Sequence, residues 1–179
     1  MSRRPQPTLL IDGYNLLHAA GLARETYGPG DLERARDRLI SRVRQLLDER
    51  QIARTVIVFD AKESVTFHGS AADVEGVRVV FPDRGVEADT VLEEMIRSHS
   101  APKQLRVVSS DHRVRSAASR RRATPVDSDR FLRDAADAAA RRRGPEKPTP
   151  GSVSDGEVRH WVDELNEAFG VSQRDDESG

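Results

Sequence analysis

The chain has 179 residues and no cysteine, which suits one compact domain plus a tail and excludes disulfide staples, zinc–thiolate sites and thiol nucleophiles. Charged residues make up 33% and aromatic residues 4%, so the core must be aliphatic, and no apolar run approaches the ~20 residues of a membrane span. The net charge of −1 conceals an asymmetry: residues 151–179 hold eight acids against two arginines, residues 106–122 six arginines against one aspartate, and residues 73–94 seven acids against two arginines.

The chain opens MSRRPQPTLLIDGYN, with no apolar leader segment of ~7–15 residues, so a soluble cytoplasmic protein with no membrane partner is expected. Residues 8–11 are an apolar run ending at Asp12-Gly13, a buried strand breaking into a loop. Asp31 can cap a helix through about Arg50, with Leu32, Ala35, Leu39, Val43, Leu46 and Leu47 on one stripe. Residues 55–59 are β-branched and continuously apolar up to Asp60, as in a parallel strand covered on both faces. Residues 77–81 read as another strand, closed by Pro82-Asp83. Val86 to about His99 reads as a helix with Val91, Leu92, Met95 and Ile96 inward. Residues 105–108 form a further strand running into Ser109-Ser110-Asp111, and an arginine-rich helix over about 112–121 follows. Residues 123–126 suit a last short strand, and Asp127 or Ser128 caps a helix to about Arg142. Strands alternating with helices imply a parallel α/β sheet.

Residues 143–154 contain three prolines and almost nothing apolar, so they read as a linker. Beyond it Val158, Trp161, Val162, Leu165 and Phe169 mark an amphipathic helix over 155–170, stopped at Gly170. Its stripe is expected to dock on its own domain or on a partner, because ~15 helical residues are marginal alone in water. Residues 171–179 read as a disordered tail.

Asp12, Asp60 and Asp111 each stand at or just after the C-terminal end of an expected strand, and Asp89 stands near the start of the following helix. In an open parallel sheet ligands bind outside the carboxyl ends of the strands. Carboxylates gathered there repel one another, and a hard divalent cation removes that penalty. Oxygen-only ligation favours Mg²⁺ or Mn²⁺ over zinc. Each aspartate taken alone suits a cap or a turn better than a metal site; only the joint pattern points to a metal.

Four motifs stand in a telling order: Asp12-Gly13-Tyr14-Asn15, Val58-Phe59-Asp60-Ala61, Glu87-Ala88-Asp89 and Ser109-Ser110-Asp111. In these the sequence resembles NYN-domain proteins of the PIN-like nuclease group, and within it the YacP-like bacterial branch. The resemblance spans about residues 8–142 and extends to the tail, since that branch also carries a Lys-Pro linker and a Trp-containing final helix. It implies a PIN-like three-layer α/β/α sandwich with a mostly parallel sheet over residues 1–142, and a metal-dependent endoribonuclease acting on single-stranded RNA. It maps the acidic metal positions onto Asp12, Asp60, Asp89 and Asp111, and the site-shaping asparagine onto Asn15. It also implies messenger RNA on the ribosome as a target.

On that footing Mg²⁺ or Mn²⁺ held by Asp12, Asp89 and Asp111 within one ion's reach, with Asp60 nearby, can activate water and stabilise the phosphorane and the leaving oxygen. Asn15 either orients Asp12, binds substrate or steadies the turn. Tyr14 either stacks a base or packs. Ser109 and Ser110 bond carboxylates or phosphate, or cap the next helix. Arg113, Arg115, Arg120, Arg121 and Arg122 are candidates for RNA phosphates or a solvated face. His112 either meets phosphate or lies exposed at a helix start, and Trp161 anchors its helix or stacks a base. The rival reading is a PIN-like module that grips RNA or the ribosome without cutting. A haloacid-dehalogenase-type phosphatase would want a second acid where Tyr14 stands, and a dinucleotide enzyme would want G-x-G-x-x-G after the first strand.

Overall fold

A computed structural model describes residues 7–60 and 69–144. The linker, the amphipathic helix over 155–170 and the tail over 171–179 lie outside the described residues. The six strands are β1 Leu9–Asp12, β2 Thr55–Val58, β3 Ser70–Val74, β4 Val77–Phe81, β5 Arg106–Val108 and β6 Thr124–Val126. The helices are α1 Gly13–Ala19, α2 Asp31–Leu46, α3 Glu49–Ile52, α4 Ala88–Ser98, α5 His112–Arg120 and α6 Ser128–Arg143. The strands form one sheet in the order β3-β4-β2-β1-β5-β6, parallel at every pairing except β3 with β4.

Alternation along β1 divides the core. Leu9 and Ile11 point to one face, where they pack with Leu39 and Val43 of α2, Leu16 and Leu17 of α1, and Phe131 of α6. Leu10 points to the other, with Leu92 and Ile96 of α4 and Val114 and Ala118 of α5. Both faces of β1 and β2 are therefore covered, which is why these strands are apolar throughout. The result is the expected three-layer α/β/α sandwich.

Three local expectations change. The segment after Asp12 is a helix, not a loop: the Asp12 side chain caps α1, and Leu16 and Leu17 are buried. The helix expected from Asp31 to Arg50 stops at Leu46. Asp48 and Gln51 form a reciprocal capping box, Gln51 N donating to Asp48 Oδ1 at 2.9 Å and Asp48 N to Gln51 Oε1 at 3.0 Å, so a new short helix starts there. The antiparallel edge strand β3 was not expected. It turns into β4 through Glu75 and Gly76, both at positive φ (52° and 91°), the conformation of a tight hairpin.

The topology also sets where a ligand goes. From β1 the chain moves outward through β2 to β4, then crosses back to β5 on the other side of β1. The reversal falls between β1 and β5, and the crevice at the carboxyl ends of those two strands is the ligand position of such folds.

Candidate active site

Asp12 is the last residue of β1 and Asp111 follows β5, so the two acids flank the reversal point. Asp12 is only 2% exposed and is held from three directions. Asn15 donates its backbone N–H to Oδ1 at 3.1 Å and its side-chain amide to Oδ2 at 2.5 Å, while Ser109 Oγ donates to Oδ2 at 2.8 Å. Asn15 therefore orients Asp12, one of the roles open to it from the sequence. Ser109, fully buried, also accepts from the Asp111 N–H at 3.0 Å, so one hydroxyl links the two acids across the β1–β5 seam. Asp111 caps α5, its Oδ1 accepting from Arg113 N at 2.7 Å and Val114 N at 3.3 Å.

Asp89 stands in the first turn of α4 and is half-buried. No hydrogen bond reaches its carboxylate from the described residues. Desolvation is the main cause that pushes its pKa up, followed by the charges of Asp12, Asp111 and Glu87, with Arg113 opposing them. Three acids thus share one electrostatic field. Asp60 lies two residues past β2, at the same edge, and its carbonyl accepts from Arg36 Nη2 at 2.9 Å.

Among the described residues no group of three or more His, Asp or Glu side chains stands ready to hold a metal ion in this conformation. The donor chemistry nevertheless fits a hard cation. The set is oxygen-only, and Asp89 is a partly desolvated carboxylate with no donor and two acidic neighbours, which is the situation a divalent ion relieves.

The residues considered for RNA scatter. Tyr14 on α1 is 41% exposed beside Asp12, its ring edge-on to His18 with centroids 4.8 Å apart. Ser110 turns away to cap α6: its hydroxyl donates to Asp127 Oδ2 at 3.2 Å and accepts from Ser128 N at 3.4 Å. Arg115 faces the same corner. The Arg130 backbone N–H, then the Ser110 hydroxyl, the Asp129 N–H and the Arg115 charge hold Asp127 below the usual carboxylate range. Arg113 grips Glu93 with Nε at 3.0 Å and Nη2 at 3.1 Å, and reaches Glu87 at 3.2 Å and Thr90 at 3.3 Å. It clamps the first turn of α4, which carries Asp89, a tie the sequence did not signal beyond Asp89 and Glu93 sharing a helix face. His112 is exposed, its Nδ1 3.5 Å from Ser116 Oγ. Arg120, Arg121 and Arg122 follow α5 to the opposite edge of the sheet, about 14 Å away along nine helical residues, so they do not border the acids.

The Ser109 link carries a prediction. Ser109→Ala would leave Asp12 and the Asp111 N–H each one partner short. Partners that orient metal ligands are worth ~10–100-fold in metal affinity or activity, and that is the expected drop in divalent-ion affinity by calorimetry. An unchanged affinity would show that Asn15 alone orients Asp12.

A mostly parallel α/β/α sandwich with acids gathered at its reversal point defines a PIN-like domain. The profile of the YacP-like NYN domain matches residues 9–161, and the chain belongs to that family, whose NYN domains are nuclease-like and RNA-related. Solved structures that share the fold include two of one protein. Rae1 (YacP) from Bacillus subtilis is 21% identical with a TM-score of 0.55, aligned over 90% of this chain and 83% of its own. A tryptophan-to-leucine variant of that protein is 22% identical with a TM-score of 0.57, over 90% and 87%. No curated protein sequence matches the chain. Among the described residues no helix is long and apolar enough to cross a membrane.

Proposed function

We propose that the chain is a Mg²⁺- or Mn²⁺-dependent endoribonuclease that cuts single-stranded RNA at the carboxyl edge of its sheet, with messenger RNA on the ribosome, in the cytoplasm, as its target. The observation that carries this reading is Asp89: half-buried, without a hydrogen-bond donor, and loaded by the charges of Asp12 and Asp111 at the reversal point of the fold. A phosphodiester cannot approach such a cluster unless a cation offsets the repulsion. Asp12, Asp89 and Asp111 would hold the ion, with Asp60 as a further carboxylate on the neighbouring strand. When bound, the ion lowers the pKa of its water and offsets charge on the attacked phosphate. Asn15 and Ser109 keep the Asp12 carboxylate in place. Tyr14 offers an exposed ring for an unpaired base beside the cut.

A second reading, an RNA- or ribosome-binding module without catalysis, is favoured by the spacing of the acids, which are not placed to hold an ion in this conformation. One experiment separates the two. Labelled RNA, naked and on translating ribosomes, is incubated with the protein in Mg²⁺, in Mn²⁺ and in EDTA. We expect internal cleavage with either ion and none in EDTA. Cleavage that persists in EDTA removes the metal reading. Binding without cleavage in both ions establishes the module instead.

A further inference from the structure

We infer that the groove lined by Lys103, Arg120, Arg121 and Arg122 is a second RNA contact, an anchor for the sugar–phosphate backbone at the sheet edge opposite the acids. It rests on RNA being the partner in the reading above, but not on catalysis.

The groove encloses about 550 Å³ and is built from two separate elements, the end of α5 and the short 3₁₀ turn Pro102–Gln104 that precedes β5. Among the described residues four cations line it and no acid does, a lining that attracts a polyanion. Nor does any aromatic among the described residues line it, so they offer nothing on which to stack a base. Such a surface grips phosphates and does not read sequence.

The groove is preformed. His99, buried at 5% exposure, accepts the Ala101 N–H on Nδ1 at 3.1 Å, and its Nε2 lies 2.8 Å from the Pro7 carbonyl. That network assigns the proton to Nε2, which donates to Pro7. Arg121 Nη2 donates to the His99 carbonyl at 3.3 Å, which ties the end of α5 to the segment that leads into the turn.

The end of α5 adds an independent observation. Ala123 N bonds Ala118 O and Arg122 N bonds Ser119 O, both at 3.0 Å, the double bond pattern that closes a helix through a left-handed residue. That residue is Arg122, at φ 61°, where glycine is the favoured occupant. Favourable interaction with the helix dipole explains a cation in the last turn. It explains neither a side chain on a left-handed residue nor the facing Lys103 from another element.

The separation has a consequence for the substrate. The ~14 Å of α5 between the acids and the groove matches about four steps of a stacked strand at ~3.4 Å each. A strand held at both edges must be longer than that, because it follows the surface.

The test is a binding measurement in EDTA, so that no cleavage occurs. The affinity of a fluorescein-labelled single-stranded RNA of about 30 nucleotides is read by anisotropy across a salt titration. The variants are Lys103→Gln/Arg120→Gln/Arg122→Gln, with Arg121 kept for its bond to His99, and Arg122→Gly alone. Each phosphate contact on a single strand contributes ~0.7 to the log–log salt slope, so the triple variant should lose about 2 in slope and bind on the order of 100-fold more weakly at 0.1 M salt. Arg122→Gly should lose about 0.7 in slope with an unchanged or higher Tm, which decides the matter even if the triple variant unfolds. Unchanged affinity and slope in the folded variants would overturn the anchor. So would polyglutamate competing as well as RNA, which would assign the groove to acidic proteins. A protein that binds through the groove yet never cleaves RNA would sink the nuclease reading and leave the anchor standing.

Discussion

Asp12→Asn and Asp89→Asn should both abolish RNA cleavage while moving the melting temperature in opposite directions. Loss of a ligand to a cation worth several kcal/mol of transition-state stabilisation corresponds to about a thousandfold in rate. The stability effects diverge because the two carboxylates are treated differently by the fold. Asp12 is buried and accepts three hydrogen bonds, from Asn15 N, Asn15 Nδ2 and Ser109 Oγ. An asparagine there turns an amide donor toward donors and strands a buried group, at ~1–3 kcal/mol. That lowers Tm by roughly 2–4 °C per kcal/mol for a domain near this size.

Asp89 is the reverse case. It accepts no hydrogen bond from the described residues, and desolvation with the Asp12 and Asp111 charges pushes its pKa up. A carboxyl with a folded pKa above its unfolded value opposes folding whenever it is ionised. The opposition is complete above the folded pKa and vanishes below the ordinary value near 3.8. Asp89→Asn should therefore raise Tm at pH 7 in EDTA, and the advantage should fade as the pH falls toward that value. Mg²⁺ should raise the Tm of the unaltered protein and not of the variant, since an ion that binds only the folded state stabilises it. Thermal unfolding at pH 7 and near pH 4, with and without Mg²⁺, reads all of this. A lower Tm for Asp89→Asn at pH 7 would show that repulsion among the acids is not the dominant force on that side chain.

Gly13→Ala is the second large effect. A Cβ on Gly13 would stand 2.4 Å from Phe59 Cδ1, 2.6 Å from Cε1 and 2.9 Å from Cγ, closer than any real contact. The ring has nowhere to go. Phe59 is 1% exposed, its ring stacks on Phe81 at 6.0 Å, and the Arg36 guanidinium lies over both rings at 5.4 and 5.2 Å. Alanine improves a helix interior by up to ~1 kcal/mol over glycine, but overpacking costs ~1–3 kcal/mol, and at the first helical position the steric cost wins. We expect a clear fall in Tm, lost activity because Asp12 is the adjacent residue, and partial rescue by adding Phe59→Leu. A Tm at or above that of the unaltered protein would mean that the Phe59 ring yields at little cost.

The dominance of Phe59 over Gly13 could not be read from the chain, because the two sit on different strands' ends and only the β1–β2 pairing brings them together. The same limit runs through the rest of the fold. Apolar runs at 55–59, 77–81 and 105–108 were legible as strands because burial on both faces leaves a continuous signature. β3 was not, since Ser70–Val74 lies at the sheet edge and half of it faces water. α1 was hidden by its seven-residue length and its opening glycine. The stop at Leu46 is encoded in the Asp48–Gln51 capping pair, while the apolar stripe continues through it to Leu47.

The class and the edge follow from the chain alone: strand–helix alternation dictates a parallel sheet, and an acid after each of several strands must then lie at its carboxyl side. Which neighbours those acids keep depends on packing in three dimensions. Ser109 rather than Ser110 serves Asp12, because Ser109 is buried against β1 across the β1–β5 seam while Ser110 faces the start of α6. Arg113 serves α4 rather than the solvent, because α4 and α5 pack side by side on one face of the sheet. Arg120, Arg121 and Arg122 stand close to Asp111 in the chain and far from it in space, because a helix of nine residues carries the backbone from one edge of the sheet to the other. Proximity along the chain is not proximity in space: the parallel β1–β5 pairing places Asp12 beside Ser109, 97 positions away.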